Sequence, residues 1–177
     1  GIPVDQCVCA GISVPGTVDQ RKGVVCYSNN IRWKQVEVAK QISEYLPLPI
    51  HVANDADCAA LGEATAGAGR EYQDVVMLTL GVGVGGGVIL DGEICAGRNI
   101  GGNELGHMVI VEDGETCTCG RHGCLEAYVS VRALVRDTER VTGQEMTPEE
   151  IFAQAEAGNA ELKELIRKYT GRLGTGL

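Results

Sequence analysis

Apolar residues fall in short blocks along the first half of the chain and at helical intervals along the second. Residues 7–14, Cys-Val-Cys-Ala-Gly-Ile-Ser-Val, form an apolar run closed by Pro15-Gly16, which predicts a buried strand and its turn. A second short strand is expected over 23–27, followed by the polar loop Ser28-Asn29-Asn30. Between 33 and 46, Val36, Val38, Ala39, Ile42 and Leu46 repeat with a helical period that ends at Pro47. Residues 48–53 predict a further strand. Asn54-Asp55 then opens a helix over 56–66, both residue types being good caps. Residues 75–80 predict a strand running into the glycine-rich stretch 81–87, with Val88-Ile89-Leu90 as the returning strand and Asp91-Gly92 as the next turn. Beyond residue 124 the period becomes helical. Amphipathic helices are expected over 125–141, over 148–157 with Pro148 in the first turn, and over 160–169, while 171–177 reads as helix that breaks off. Strands with crossover helices, a glycine hairpin and then helices define the α/β class.

Composition narrows the picture. With 177 residues, 44% of them hydrophobic, the chain can bury one good-sized core or one domain and part of another. Phe and Trp occur once each, so Val, Ile, Leu and Ala must build that core. A formal net charge of −9 lacks the basic footprint that phosphate backbones require, which excludes a nucleic-acid surface on this segment. No long apolar run predicts a membrane span, and no charged-then-apolar leader is visible. Five of the eight cysteines are scattered through apolar or glycine-rich stretches, which fits a reducing cytoplasm better than a disulfide scaffold.

The remaining three cysteines carry the strongest chemical signal. His107, Cys117, Cys119 and Cys124 offer one imidazole and three thiolates within eighteen residues, a closed ligand set for tetrahedral zinc. With no coordination position left open, the metal is expected to be structural. Gly120 and Gly123 supply the tight turns such a loop needs, and Glu104 and Glu126 bracket it. These carboxylates, with His107, can grip hydroxyl groups through charge-assisted hydrogen bonds, or they can simply face solvent. Asp55, at a strand-to-helix junction, reads either as the helix cap or as a proton acceptor that activates an alcohol. The run Gly81-Val82-Gly83-Val84-Gly85-Gly86-Gly87 suits close approach of backbone amides to phosphate, or is a structural hairpin. It has no Gly-Lys-Ser/Thr continuation, so it is not a Walker loop.

In order along the chain, Gly11-Ile-Ser-Val-Pro-Gly-Thr-Val-Asp19, Asn30-Ile-Arg-Trp33, Asn54-Asp-Ala-Asp-Cys-Ala-Ala-Leu-Gly-Glu63, Leu78-Thr-Leu-Gly-Val-Gly-Val-Gly-Gly-Gly87, Glu104-Leu-Gly-His107 and Cys117-x-Cys-Gly-x-x-Gly-Cys-Leu-Glu126 resemble the ROK family of sugar kinases and sugar-responsive repressors, its bacterial glucokinases in particular. The resemblance implies an actin-like, ribonuclease-H-like two-lobed sugar kinase fold, incomplete at both ends. Residues 1–53 would be the remainder of the N-terminal small lobe. Residues 54–177 would be part of the C-terminal large lobe, with the zinc-binding segment 104–126 and trailing helices.

By motif, the resemblance makes Asp55 the general base and places Asn30, Asn54, Glu104, His107, Glu126 and the backbone near Gly16 on sugar hydroxyls. His107, Cys117, Cys119 and Cys124 hold structural Zn2+, and Gly81, Gly83, Gly85 and Gly86 approach the phosphates of ATP, which arrives with Mg2+. The implied activity is ATP-dependent phosphorylation of a hexose, glucose first, at the 6-hydroxyl, by a cytoplasmic dimer or tetramer. The other activity within the family is ligand binding by a sugar-responsive repressor. Two departures stand out: nothing matches the family's Asp-x-Gly-Gly-Thr-Lys loop, and Val82 stands where the kinases usually carry Thr.

Overall fold

The computed structural model describes residues 3–28, 30–97 and 103–177. The chain divides into two compact units, one of Gly1–Met77 with Gly86–Asn103 and one of Leu78–Gly85 with Glu104–Leu177.

In the first unit, β1 (Ala10–Val14) runs parallel to β5 (Ile50–Asn54), with Val14 opposite Asn54. A meander of β2 (Thr17–Asp19), β3 (Val24–Ser28) and β4 (Trp33–Val36) forms a separate antiparallel sheet. Valine makes this core: Val14, Val18, Val25, Val38 and Val52 are buried together, with Ile12, Val36, Ala39 and Ile42 packed against them. Their β-branched side chains suit a pleated, half-buried surface. Helix α1 (Val38–Ser43) adds Val38 to this core, and α2 (Asp55–Ala66) follows β5 without a connecting loop.

Two expectations are corrected here. Residues 33–46 are a strand and a short helix rather than one helix. Val36 pairs with Val25 and Lys34 with Tyr27, so long-range ladder bonds decide the conformation of 33–36. The apolar spacing marked burial correctly, because Val36, Val38, Ala39 and Ile42 all reach one core. The first strand is also shorter than residues 7–14 and only Val14 in it is buried, since β5 is its one partner among the described residues.

The third sheet, β6 (Val75–Leu80), β7 (Val84–Leu90) and β8 (Glu93–Ile94), has residues in both units. Strand β7 begins inside the glycine run, so the turn is confined to 81–83 and Gly85, Gly86 and Gly87 are strand residues. Asp91-Gly92 turns between β7 and β8 as expected, with Leu90 opposite Glu93.

The second unit is mostly helical. Residues 125–141 form α3 (Glu126–Val129) and α4 (Val131–Thr142) rather than one helix, with Ser130 extended between them at φ −78° and ψ 159°. Helix α5 (Pro148–Glu156) opens with a capping box in which Thr147 and Glu150 satisfy each other's backbone amides. Helix α6 (Ala160–Gly176) is capped by Asn159 and runs through the stretch beyond 169 without a break. Leu134, Met146, Ile151, Ala155, Leu162 and Leu165 form one core of this unit, and Val84, Leu125 and Val129 form another. Among the described residues no helix is long and apolar enough to cross a membrane.

Candidate metal centre

A short 3-10 turn over Leu105–His107 is followed by a loop closed by the isolated bridges Val109–Cys124 and Thr116–His122. Gly123 adopts φ +77°, and a side chain there would run into the Val111 carbonyl, so this return of the chain requires glycine. The ligand atoms of His107, Cys117, Cys119 and Cys124 all lie within 4.8 Å of one another. His107 Nδ1 is 3.5 Å from Cys117 Sγ, and Cys119 Sγ is 3.7 Å from Cys124 Sγ. Zinc bonds of roughly 2.3 Å to sulfur and about 2.0 Å to nitrogen give tetrahedral edges of about 3.7 Å between sulfurs and about 3.5 Å between sulfur and nitrogen. The donor set therefore fits zinc in both composition and spacing. When bound, zinc supplies a cross-link between the 3-10 turn and the loop, and the four protein ligands fill its coordination.

Electrostatics around the thiols divide their roles. Burial opposes charge on Cys119, but hydrogen bonds from the Arg121 backbone and side chain and from its fellow cysteines outweigh it and lower the thiol to about 6. Burial, then hydrogen bonds and charge from Cys117 and Cys119, push Cys124 up to about 12. A loop holding one ready thiolate beside a buried thiol gains by giving the group a cation to share. Arg121 also donates to the His107 carbonyl at 3.1 Å. His122 is exposed and sits 3.2 Å through Nδ1 from the Gly114 carbonyl oxygen, away from the ligand set.

Glu126, the first residue of α3, is held at both oxygens. Thr118 Oγ1 donates to Oε1 at 2.6 Å and the Val84 amide donates to Oε2 at 3.0 Å. The Cys117 thiol also faces Oε1 at 3.8 Å. Glu104 is exposed, and its carbonyl accepts from the His107 amide. Thr118 and the Val84 amide were invisible to a motif reading, which sees cysteine spacing but not which side chain between two cysteines reaches Glu126.

In the first unit, Asn54 is the N-cap of α2: its Oδ1 accepts from the amides of Ala56 and Asp57 at 2.8 and 3.1 Å. Its Nδ2 donates to the Gly16 carbonyl at 2.9 Å. Asp55, exposed at the first helical position, takes among the described residues a secondary 3.0 Å bond from the Ala56 amide through one oxygen. Asn30 is exposed in the turn between β3 and β4. Asp57 is buried, with Oδ1 unpartnered among the described residues. Burial raises its carboxyl, a hydrogen bond with Asn103 lowers it, and the charge of Asp55 raises it further.

The solved structure of a ROK hexokinase from Thermus thermophilus superposes with a TM-score of 0.86 at 33% identity, covering 96% of this chain and 56% of that one. A ROK family glucokinase from Streptomyces griseus, solved with glucose and AMPPNP, gives a TM-score of 0.79 at 33% identity and covers 95% and 59%. The fold is thus the α/β, actin-like fold of these sugar kinases. The chain belongs to the ROK family, whose profile matches residues 3–177.

Among curated relatives, the glucokinase of Halalkalibacterium halodurans is 34% identical over 165 residues, 85% of this chain and 50% of its own length. The xylose repressor of Caldicellulosiruptor bescii is 29% identical over 180 residues, 94% of this chain and 45% of its own. The chain thus spans about half the length of the curated relatives it matches.

Proposed function

We propose that this chain is part of an ATP-dependent hexose kinase that phosphorylates the 6-hydroxyl of glucose. The observation that carries the reading is the division of work at the start of α2. Asn54 does the capping, which leaves the Asp55 carboxylate exposed. In this reading Asp55 accepts the hydroxyl proton as the sugar oxygen attacks the γ-phosphorus, and the bond to the β–γ bridging oxygen breaks in line to release ADP. Magnesium carried with ATP supplies charge neutralisation at the phosphates. Gly16, Asn30, Asn54, Glu104, His107 and Glu126 bind sugar hydroxyls. His107 can do so through Nε2, because Nδ1 is the nitrogen beside Cys117. Gly81, Gly83, Gly85 and Gly86 approach the phosphates, where Val82 offers no hydroxyl. Residues 1–53 belong to the small lobe and 54–177 to the large lobe of a cytoplasmic dimer or tetramer. The glucokinase and hexokinase similarities support this reading.

The test is Asp55→Asn. Phosphorylation of glucose is expected to fall by at least about a thousandfold while glucose binding, read by calorimetry, stays near native. Substantial residual turnover would show that another group takes the proton.

The similarity to a xylose repressor over 94% of the chain favours a second reading, the ligand-binding domain of a sugar-responsive repressor. Binding of a sugar with no phosphate transfer from ATP, and a basic helical segment encoded ahead of residue 1, would select it.

A further inference from the structure

Thr118 lies between two of the metal-ligand cysteines, and no motif assigns it a role. Its hydroxyl makes the shorter of the two bonds that fix Glu126, at 2.6 Å. The opposite oxygen of the same carboxylate accepts from Val84, the first residue after the glycine turn, at 3.0 Å. Contact with the turn continues at Gly83, where an added Cβ would lie 2.6 Å from Glu126 Oε2. Within the turn the Gly81 amide donates to the Gly83 carbonyl at 2.9 Å, and the Gly81 carbonyl accepts from Val131 at 2.8 Å. We infer that Thr118 is a positioning residue which, through Glu126, ties the metal loop to the turn 81–83, so that metal binding and the order of that turn are coupled.

The argument is mechanical. Thr118 is exposed, and its backbone is held by the Cys117–Arg121 and Gly120–Cys117 bonds of the loop, to which the bonding of Cys117 and Cys119 to a common ion adds a further restraint. Without that bonding the thiol groups are free to separate and the hydroxyl leaves Oε1. Glu126 then keeps the Val84 amide and the long 3.8 Å contact with the Cys117 thiol, and rotation of its side chain releases these as well. A charge-assisted bond at each end is what makes the carboxylate a stiff link. Coupling between two sites is reciprocal, so whatever orders the turn must also tighten the metal. The consequence for phosphate binding rests on the kinase reading above, whereas the link itself rests only on the metal centre.

Amide hydrogen exchange at Val84, measured with zinc content, tests the link. Thr118→Ala should keep about one zinc per chain and speed exchange of the Val84 amide about tenfold, and Thr118→Ser should restore it. Chelation of the native chain should give a similar acceleration, with little further change in Thr118→Ala. Unchanged exchange in Thr118→Ala overturns the proposal. Loss of zinc from that variant overturns it too, because the hydroxyl would then be supporting the loop itself. Titration with AMPPNP separates the two readings. An affinity weakened several-fold in Thr118→Ala extends the link to the phosphates. A complete protein that binds glucose but no AMPPNP refutes the kinase reading and leaves the exchange result to decide the link.

Discussion

The side-chain amide of Asn54 donates to the carbonyl oxygen of Gly16, 38 residues earlier, while its other atom caps α2. One side chain thus fixes both the turn after β1 and the first turn of the helix that carries Asp55. Asn54→Ala removes the cap and the bond to Gly16 together and should destabilise by about 2 kcal/mol. Asn54→Asp keeps the cap but sets a carboxylate oxygen against the Gly16 carbonyl oxygen and beside Asp55 and Asp57, so it should cost at least the lost donor bond, about 1 kcal/mol. Urea midpoints for the two variants decide this. Equal stability of Asn54→Asp and the native chain would mean the bond to Gly16 contributes nothing.

The metal centre predicts about one zinc per chain by elemental analysis, the expectation for a closed four-ligand site. Chelation should lower the melting temperature, and so should Cys119→Ser. His122→Ala should change neither zinc content nor melting temperature, since His122 is exposed and directed at the Gly114 carbonyl. Loss of zinc from His122→Ala would require a different ligand set.

The cluster of His107, Cys117, Cys119 and Cys124 was legible in the sequence because it is local: all four lie on one short segment, and cysteine has few reasons to recur at that spacing. The helix start at Asn54-Asp55 was legible for the same reason, although the sequence offered Asp55 as a cap and it is Asn54 that caps. What could not be read was decided by partners far away in the chain. Strand β4 exists because Val36 and Lys34 find Val25 and Tyr27, which overrides a helical apolar period. The link through Glu126 depends on an amide at Val84 that carries no sequence signature at all. The glycine run was recognised, but the point where turn becomes strand is set by sheet pairing and not by composition.

Acid should expose a second electrostatic feature. The hydrogen bond from Arg140 to Glu115, at 2.6 Å, holds the Glu115 carboxyl below its ordinary value of 4.5, with the charges of Arg136 and Arg140 assisting against burial. A carboxyl lowered on folding adds stability above its unfolded value and loses it as pH falls through the folded value. Native stability should therefore decline from about pH 5 downward. Glu115→Gln should be less stable at neutral pH and lose less across that window. Asp57 has the opposite sign: its carboxyl is raised, so its burial opposes folding at neutral pH and this penalty fades on acidification. Asp57→Asn should therefore be better tolerated at neutral pH than in acid. Denaturation midpoints at several pH values, read for both variants, test both signs.

The break at Ser130 shows how a helix start can be stabilised from three directions. In a continuous helix the Val131 amide would donate to Ala127; here it donates to Gly81 at 2.8 Å. The Ala127 carbonyl left behind accepts from Arg136 Nη2 at 2.9 Å, and the Val129 carbonyl accepts from the Tyr169 hydroxyl at 2.6 Å. Ser130, buried, caps α4 by accepting from the Ala133 amide at 3.1 Å. Every backbone group freed by the interruption that these bonds reach has found another partner, which is why an interruption inside an amphipathic run is stable. Ser130→Ala should cost about 1 kcal/mol through the lost cap. Tyr169→Phe should cost about 1–3 kcal/mol by orphaning the carbonyl of buried Val129. Both substitutions act on one junction, so their combined cost should depart from the sum of the single costs. Simple additivity in a double-mutant cycle, read from urea midpoints, would mean that the cap and the tyrosine stabilise separate features.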